Sequence, residues 1–226
     1  MRGFDLAQLL LTISVVAIPG IFAITLHEVA HGWAAKKLGD PTAFMLGRLT
    51  LNPLKHVDPI GTVVLPLALL WLTSGEWTFG WAKPVPVAFR NLRHEKRDMI
   101  LVAGAGPGAN LAMASAWTLL AMLVGVALAD SSLLSAWLLS VCTFGIQINV
   151  MLMVFNLIPI PPLDGGRVLS GLLPRAGSDL LDRIEPFGII IVIVLMQPQI
   201  GVLWRIIEPF VRFFLDFFLA AAGLRY

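Results

Sequence analysis

Two histidines four residues apart, with a glutamate beside the first, make His27-Glu28-Val29-Ala30-His31 the stretch of this chain best suited to chemistry. A helix turns about 100° per residue, so positions i and i+4 share a face about one turn apart. Both imidazoles can then approach one tetrahedral zinc ion, and Glu28 sits beside them where it can handle a proton. The surrounding run, I-F-A-I-T-L-H-E-V-A-H-G-W-A-A over residues 21–35, is apolar enough for a lipid bilayer. Ionisable groups at that depth are expensive and are usually kept for function. The pattern predicts metal chemistry performed inside a membrane.

This motif supplies two ligands, whereas a catalytic zinc takes three from the protein and one water. The third is expected at similar depth on another segment. His56 and His94 lie among basic loop residues and are expected to face water. The better candidate is Asp164, in N-L-I-P-I-P-P-L-D-G-G-R over residues 156–167. It is an isolated carboxylate between an apolar helix and a Gly-Gly pair. Pro159, Pro161 and Pro162 impose an extended approach, and Gly165 and Gly166 permit close packing. The alternative role for Asp164 is N-cap of a helix starting at Gly165.

The elements that must hold these groups belong to a membrane protein. Of 226 residues, 58% are hydrophobic and only 13% charged, and the mean hydropathy is +0.84. A soluble domain is about half apolar and a quarter charged. The length suits about five or six spans with short connections. A formal charge of +2 gives no basis for nucleic-acid binding. Cys142, the one cysteine, lies in an apolar stretch and is expected to act as a small buried hydrophobe. The N-terminus resembles a signal peptide but has no small-x-small site, and the histidine motif follows in the same apolar run, so a retained first span is expected.

That first helix is expected over residues 6–38, bent at Pro19-Gly20. Lys36, Lys37, Arg48 and Lys55 follow it, which places the His27 end towards the cytoplasm. Residues 60–72 are apolar but too short for a span of about 20 residues, and basic groups flank both ends. A dip that enters and leaves on the cytoplasmic face is expected. Residues 76–87, with Trp77, Phe79 and Trp81 alternating and Pro84 and Pro86 each lacking an amide donor, read as an edge strand, with 44–51 as a candidate partner. An interfacial aromatic loop is the alternative.

Further helices are expected over residues 99–129, 133–155 and 178–196. The A-G-A-G-P-G-A-N stretch at 103–110 suits close helix–helix approach rather than phosphate binding. Residues 201–224 carry Arg205, Glu208, Arg212 and Asp216 on one face, as in an amphipathic interfacial helix. The fold class that emerges is an all-α polytopic membrane protein with a small membrane-associated β element. It forms one domain over 1–226, with its core at 6–173 and C-terminal helices at 178–224.

With these motifs in view, the chain resembles the site-2 protease family of intramembrane zinc metalloproteases. The matching residues are H-E-V-A-H at 27–31, G-A-G-P-G-A-N at 104–110 and N-L-I-P-I-P-P-L-D-G-G at 156–166. The resemblance covers most of residues 25–173, and no added PDZ-like or nucleotide-sensing domain is seen. It implies one zinc ion per chain held by His27, His31 and Asp164, with Glu28 as general base and Asn156 as a transition-state contact. The implied substrate is a membrane-anchored protein with a transmembrane helix, cut within or near that helix. The expected setting is the plasma membrane of a prokaryote, with the site towards the cytoplasm. The rival reading is a zinc transporter, or a zinc-binding membrane protein without proteolysis. Transporters usually show internal repeats around a midplane site, and no repeat is evident here.

Overall fold

The computed structural model describes residues 6–74, 78, 80–128, 132–197 and 200–224. Its α-helices are α1 (Leu6–Leu38), α2 (Thr42–Met45), α3 (Leu65–Leu72), α4 (Glu95–Ala127), α5 (Leu133–Asn156), α6 (Asp164–Leu172), α7 (Arg175–Met196) and α8 (Val202–Ala221). Short 3-10 turns form at Pro53–His56 and Phe89–Asn91, and a π-helical turn at Pro59–Val64 leads into α3.

Three of these helices, α1, α4 and α5, are long and apolar enough to cross a membrane. At 33 residues each, α1 and α4 run about 50 Å, well beyond an apolar layer of about 30 Å. Large apolar side chains such as Leu10, Ile13, Ile21 and Phe22 on α1, and Leu119 and Leu123 on α4, point outward. This suits a lipid surround, where helix association rests on packing and hydrogen bonds rather than on exclusion of water.

The central element is α4, which packs against α1, α5 and α6. A second core forms where α5, α7 and α8 meet, around Ile146, Val150, Val192, Leu203, Ile207 and Val211. Along α8 the buried stripe of Leu203, Ile207, Val211 and Phe218 is turned to that core, while Arg205, Arg212 and Asp216 stay exposed and Arg212 pairs with Glu208 at 2.6 Å. Charges within α7 and α8 interrupt their apolar runs. Both therefore fall short of the composition that marks α1, α4 and α5.

The region of residues 46–91 departs from expectation. No residue among those described is in a β-strand. The edge strand at 76–87 is instead an irregular extended strap over its described part; Glu76, Trp77 and Phe79 lie outside the described residues. Nor do residues 44–51 supply a partner strand: α2 takes up the start, and Arg48 reaches the strap through its side chain, donating to the carbonyls of Lys83 and Pro84 at 3.0 and 3.3 Å. The physical reason is a lack of donors. Pro84 and Pro86 have none, and the amides of Lys83, Val85 and Ala88 go singly to His56 O, Glu28 Oε2 and Asp40 Oδ2. A ladder needs regular donors and one partner.

Pro59–Leu72 rises about 20 Å at 1.5 Å per residue, too little to cross. After it the chain comes back beside the same helix. Thr78 Oγ1 donates to Pro66 O at 3.1 Å, and Trp81 N–H donates to Gly61 O at 3.0 Å. His56 is buried rather than water-facing, with Nε2 donating to Thr50 O at 2.9 Å.

Candidate metal centre

α1 carries His27, Glu28 and His31 on one side, turned towards α4 and the start of α6. The approach of α4 is possible only because residue 106 is glycine. A Cβ there would lie 2.3 Å from His31 Nε2 and 2.6 Å from His27 Cε1. The expected role of the small residues at 103–110 was general helix approach. The structure narrows it to one position, since Gly104 and Gly108 face open space.

Asp164 is the first residue of α6. Leu163 holds the N-cap position and no side chain caps this helix, so the capping alternative for Asp164 is not realised. Gly165 and Gly166 press on the preceding turn: a Cβ would lie 2.2 Å from Leu157 O at the first and 2.4 Å from Pro161 N at the second. This close packing turns the Asp164 carboxylate inward. Its Oδ2 lies 3.3 Å from His27 Nε2 and 3.3 Å from His31 Nε2, and the two Nε2 atoms are 3.0 Å apart.

The polarity of these atoms can be derived. His31 Nδ1 donates to the Val102 carbonyl at 2.8 Å, and His27 Nδ1 donates to Asn110 Oδ1 at 2.6 Å. In neutral imidazoles this leaves a lone pair on each Nε2. Asp164 Oδ2 is buried and has no hydrogen-bond partner. With both imidazoles neutral, three electron pairs face one point with no proton donor among them. That is a repulsive arrangement alone and a favourable one around a cation. A tetrahedron with ligands about 2.0 Å from its centre has edges of about 3.3 Å, matching the observed triangle. His, His and carboxylate form a donor set suited to zinc with an open fourth position.

Glu28 Oε2 accepts the Val85 amide at 2.7 Å, so the base candidate is held from the strap. A cavity of about 140 Å³ joins Glu28, the histidine pair, Asp164, Asn156 and Arg167. A neighbouring cavity of about 250 Å³ shares Val87, Phe89 and Arg167 with it. Arg167 lies over the Phe89 ring, 5.0 Å from its centre, and pairs with Glu185 at 3.3 Å. Asn156 lines the metal cavity, with Nδ2 donating to Leu152 O at 3.0 Å.

All five site residues singled out from the sequence therefore border one cavity. Missed were Gly106, Asn110, Asn149, the Val102 carbonyl and the Val85 amide. Asn110 did carry a signal: it is the one side-chain amide in the apolar helix α4, where its hydrogen bonds must be made to protein.

Comparison with known proteins adds an independent line. The profile described as peptidase family M50 matches residues 120–197. The chain is similar to the Bacillus subtilis (strain 168) protein named "Putative zinc metalloprotease YwhC", 38% identical over 191 residues, spanning 83% of each chain. It is similar to "Putative zinc metalloprotease Rip2" of Mycolicibacterium smegmatis, 31% identical over 176 residues, 78% of this chain and 64% of that one. A third relative is "Putative zinc metalloprotease Rip3" of Mycobacterium tuberculosis, 30% identical over 155 residues, 68% of this chain and 29% of its own. No solved structure matches.

Proposed function

The chain belongs to peptidase family M50, the site-2 protease family, and from that premise we propose that His27, His31 and Asp164 hold one zinc ion for hydrolysis of peptide bonds in membrane-anchored substrates. The observation that carries this reading is the meeting of three buried electron pairs, with a carboxylic acid, Glu28, bordering the same cavity. Zinc bound there supplies Lewis acidity, polarising the scissile carbonyl and bringing the pKa of a bound water to about 7.

Glu28 takes the proton of the attacking water and returns it to the leaving amine. Its bond to the Val85 amide orients one carboxylate oxygen and leaves the other free for this work. Asn156 Nδ2 keeps a second hydrogen besides the one given to Leu152 O, and that hydrogen serves the developing oxyanion. The cavity shared by Phe89 and Arg167 admits water from the side where basic residues gather, which the positive-inside rule makes cytoplasmic. That orientation fits the plasma membrane of a prokaryote. We take α7 and α8 as further membrane segments of a single domain over 1–226, bringing the helices to five, with Pro59–Leu72 as a re-entrant sixth. The strap at 80–88 borders the cavity through Pro84, Val85 and Val87 and lies where an unwound substrate segment would pass.

Proteoliposomes holding a transmembrane substrate test this directly. Wild type cuts the substrate, while Glu28→Gln keeps its zinc and loses at least about 100-fold in rate. Cleavage at the wild-type rate by Glu28→Gln, or zinc carried into the vesicles, contradicts the reading and favours the transporter.

A further inference from the structure

We infer that Asn149 and Asn110 are positioning residues that set the tautomer of His27 and hold its ring on the metal, an inference resting on the zinc reading above. The relay begins at a group whose polarity is fixed: the Gly145 carbonyl on α5 can only accept. Asn149 Nδ2 donates to it at 2.8 Å. Asn149 Oδ1 is thereby turned to α4, where Asn110 Nδ2 donates to it at 2.9 Å. The same nitrogen faces a second acceptor, the Ala23 carbonyl on α1, at 3.4 Å. Turning either amide round sets oxygen against oxygen. Asn110 Oδ1 is therefore left to face His27 Nδ1 at 2.6 Å. That nitrogen must carry the hydrogen, and Nε2 keeps the lone pair directed at the metal.

Both asparagines are fully buried, so no water stands in for either. The relay crosses three helices, from α5 through α4 to α1. The two histidines are held by different devices: His31 leans on a backbone carbonyl, Val102 O, which survives any side-chain change. His27 depends on a side chain, and that side chain on another. Side-chain substitution should therefore uncouple His27 while sparing His31.

The test uses the purified full chain in detergent, loaded with cobalt(II) and challenged with a chelator. Asn110→Leu is expected to weaken metal retention by about 10- to 100-fold and to change the visible cobalt spectrum. Asn110→Asp keeps an oxygen opposite His27 Nδ1, as in carboxylate–histidine–zinc triads, and is expected to stay within about threefold of wild type. Its second oxygen faces the Ala23 carbonyl and turns Asn149 Oδ1 against Gly145 O, so this variant is expected to lose folding stability while keeping the acceptor at His27 Nδ1. Asn149→Leu, which touches no ligand, is expected to weaken retention about fivefold or more and carries the test if Asn110→Leu does not fold. A merely structural role would make metal retention follow the metal-free melting temperature in all three variants, without sparing the aspartate. Retention by Asn149→Leu within twofold of wild type, or an Asn110→Asp protein as weak as Asn110→Leu, overturns the inference. A wild-type chain that binds no metal overturns the zinc reading beneath it.

Discussion

Gly106 shows how far one hydrogen atom in place of a methyl group can matter. The two imidazoles of α1 fill the space that a Cβ at this position would need. They cannot withdraw, because each Nδ1 is tied to a fixed acceptor. Gly106→Ala is therefore expected to weaken zinc binding by about 10-fold or more. Gly104→Ala, two residues away with nothing within 4 Å of its added carbon, is expected to keep its zinc and gain up to about 1 kcal/mol of helix stability. Equal zinc affinity in the two variants, measured by chelator competition, would contradict this packing. At this scale the candidate ligands were legible, because His27, His31 and Asp164 stand out by residue type, spacing and depth, and the structure brings them together. The parts that Gly106 and the two asparagines play at the site were not, because they depend on which face of α4 meets α1, and no spacing within one helix encodes that.

The strap at 80–88 is an element held by side chains rather than by a ladder, and Asp40 is its main anchor. Asp40 is fully buried just past α1. Its carboxylate accepts from the Ala88 amide at 2.7 Å, the Asn91 side chain at 3.0 Å, the Thr42 amide at 3.1 Å and the Thr42 hydroxyl. Burial pushes its pKa up, but the donors from Thr42, Asn91 and Ala88 outweigh this and hold the carboxyl below its ordinary value. A depressed pKa contributes stability that is complete above the unfolded value of about 4 and is lost as pH falls through the folded value. Asp40→Ala removes four hydrogen bonds from part-buried donors and is expected to cost ~2 kcal/mol at neutral pH. The gap from wild type should narrow below about pH 4, as read by thermal unfolding in detergent. A gap independent of pH would contradict the assignment. Pro84 and Pro86 made this segment's shortage of amide donors readable, but not the acceptors of the remaining amides, which lie about 30 to 60 residues away in sequence at Glu28, Asp40 and His56. Long-range pairing of that kind has no local signature.

Across the whole molecule, the outward-facing apolar side chains and the buried polar site place a hydrolytic centre within a membrane protein. The class was legible from composition alone. The number of spans was less so, because charges on α7 and α8 blur the line between crossing a bilayer and lying along it. A substrate helix hides its carbonyls in its own hydrogen bonds and must unwind to be cut. Glycine or proline placed near the scissile bond is expected to raise the cleavage rate in proteoliposomes, about 10-fold for helix weakening of roughly 1.4 kcal/mol. Matched rates for substrates with and without such residues would remove unwinding from the account. The central claim is that two imidazoles of α1 and one carboxylate of α6 share a single zinc ion. X-ray absorption at the zinc edge of the purified protein tests it most directly. The account predicts one zinc per chain with only nitrogen and oxygen neighbours at about 2.0–2.2 Å, two of them imidazoles. A sulfur neighbour at about 2.3 Å, or a protein that retains no zinc, would contradict it.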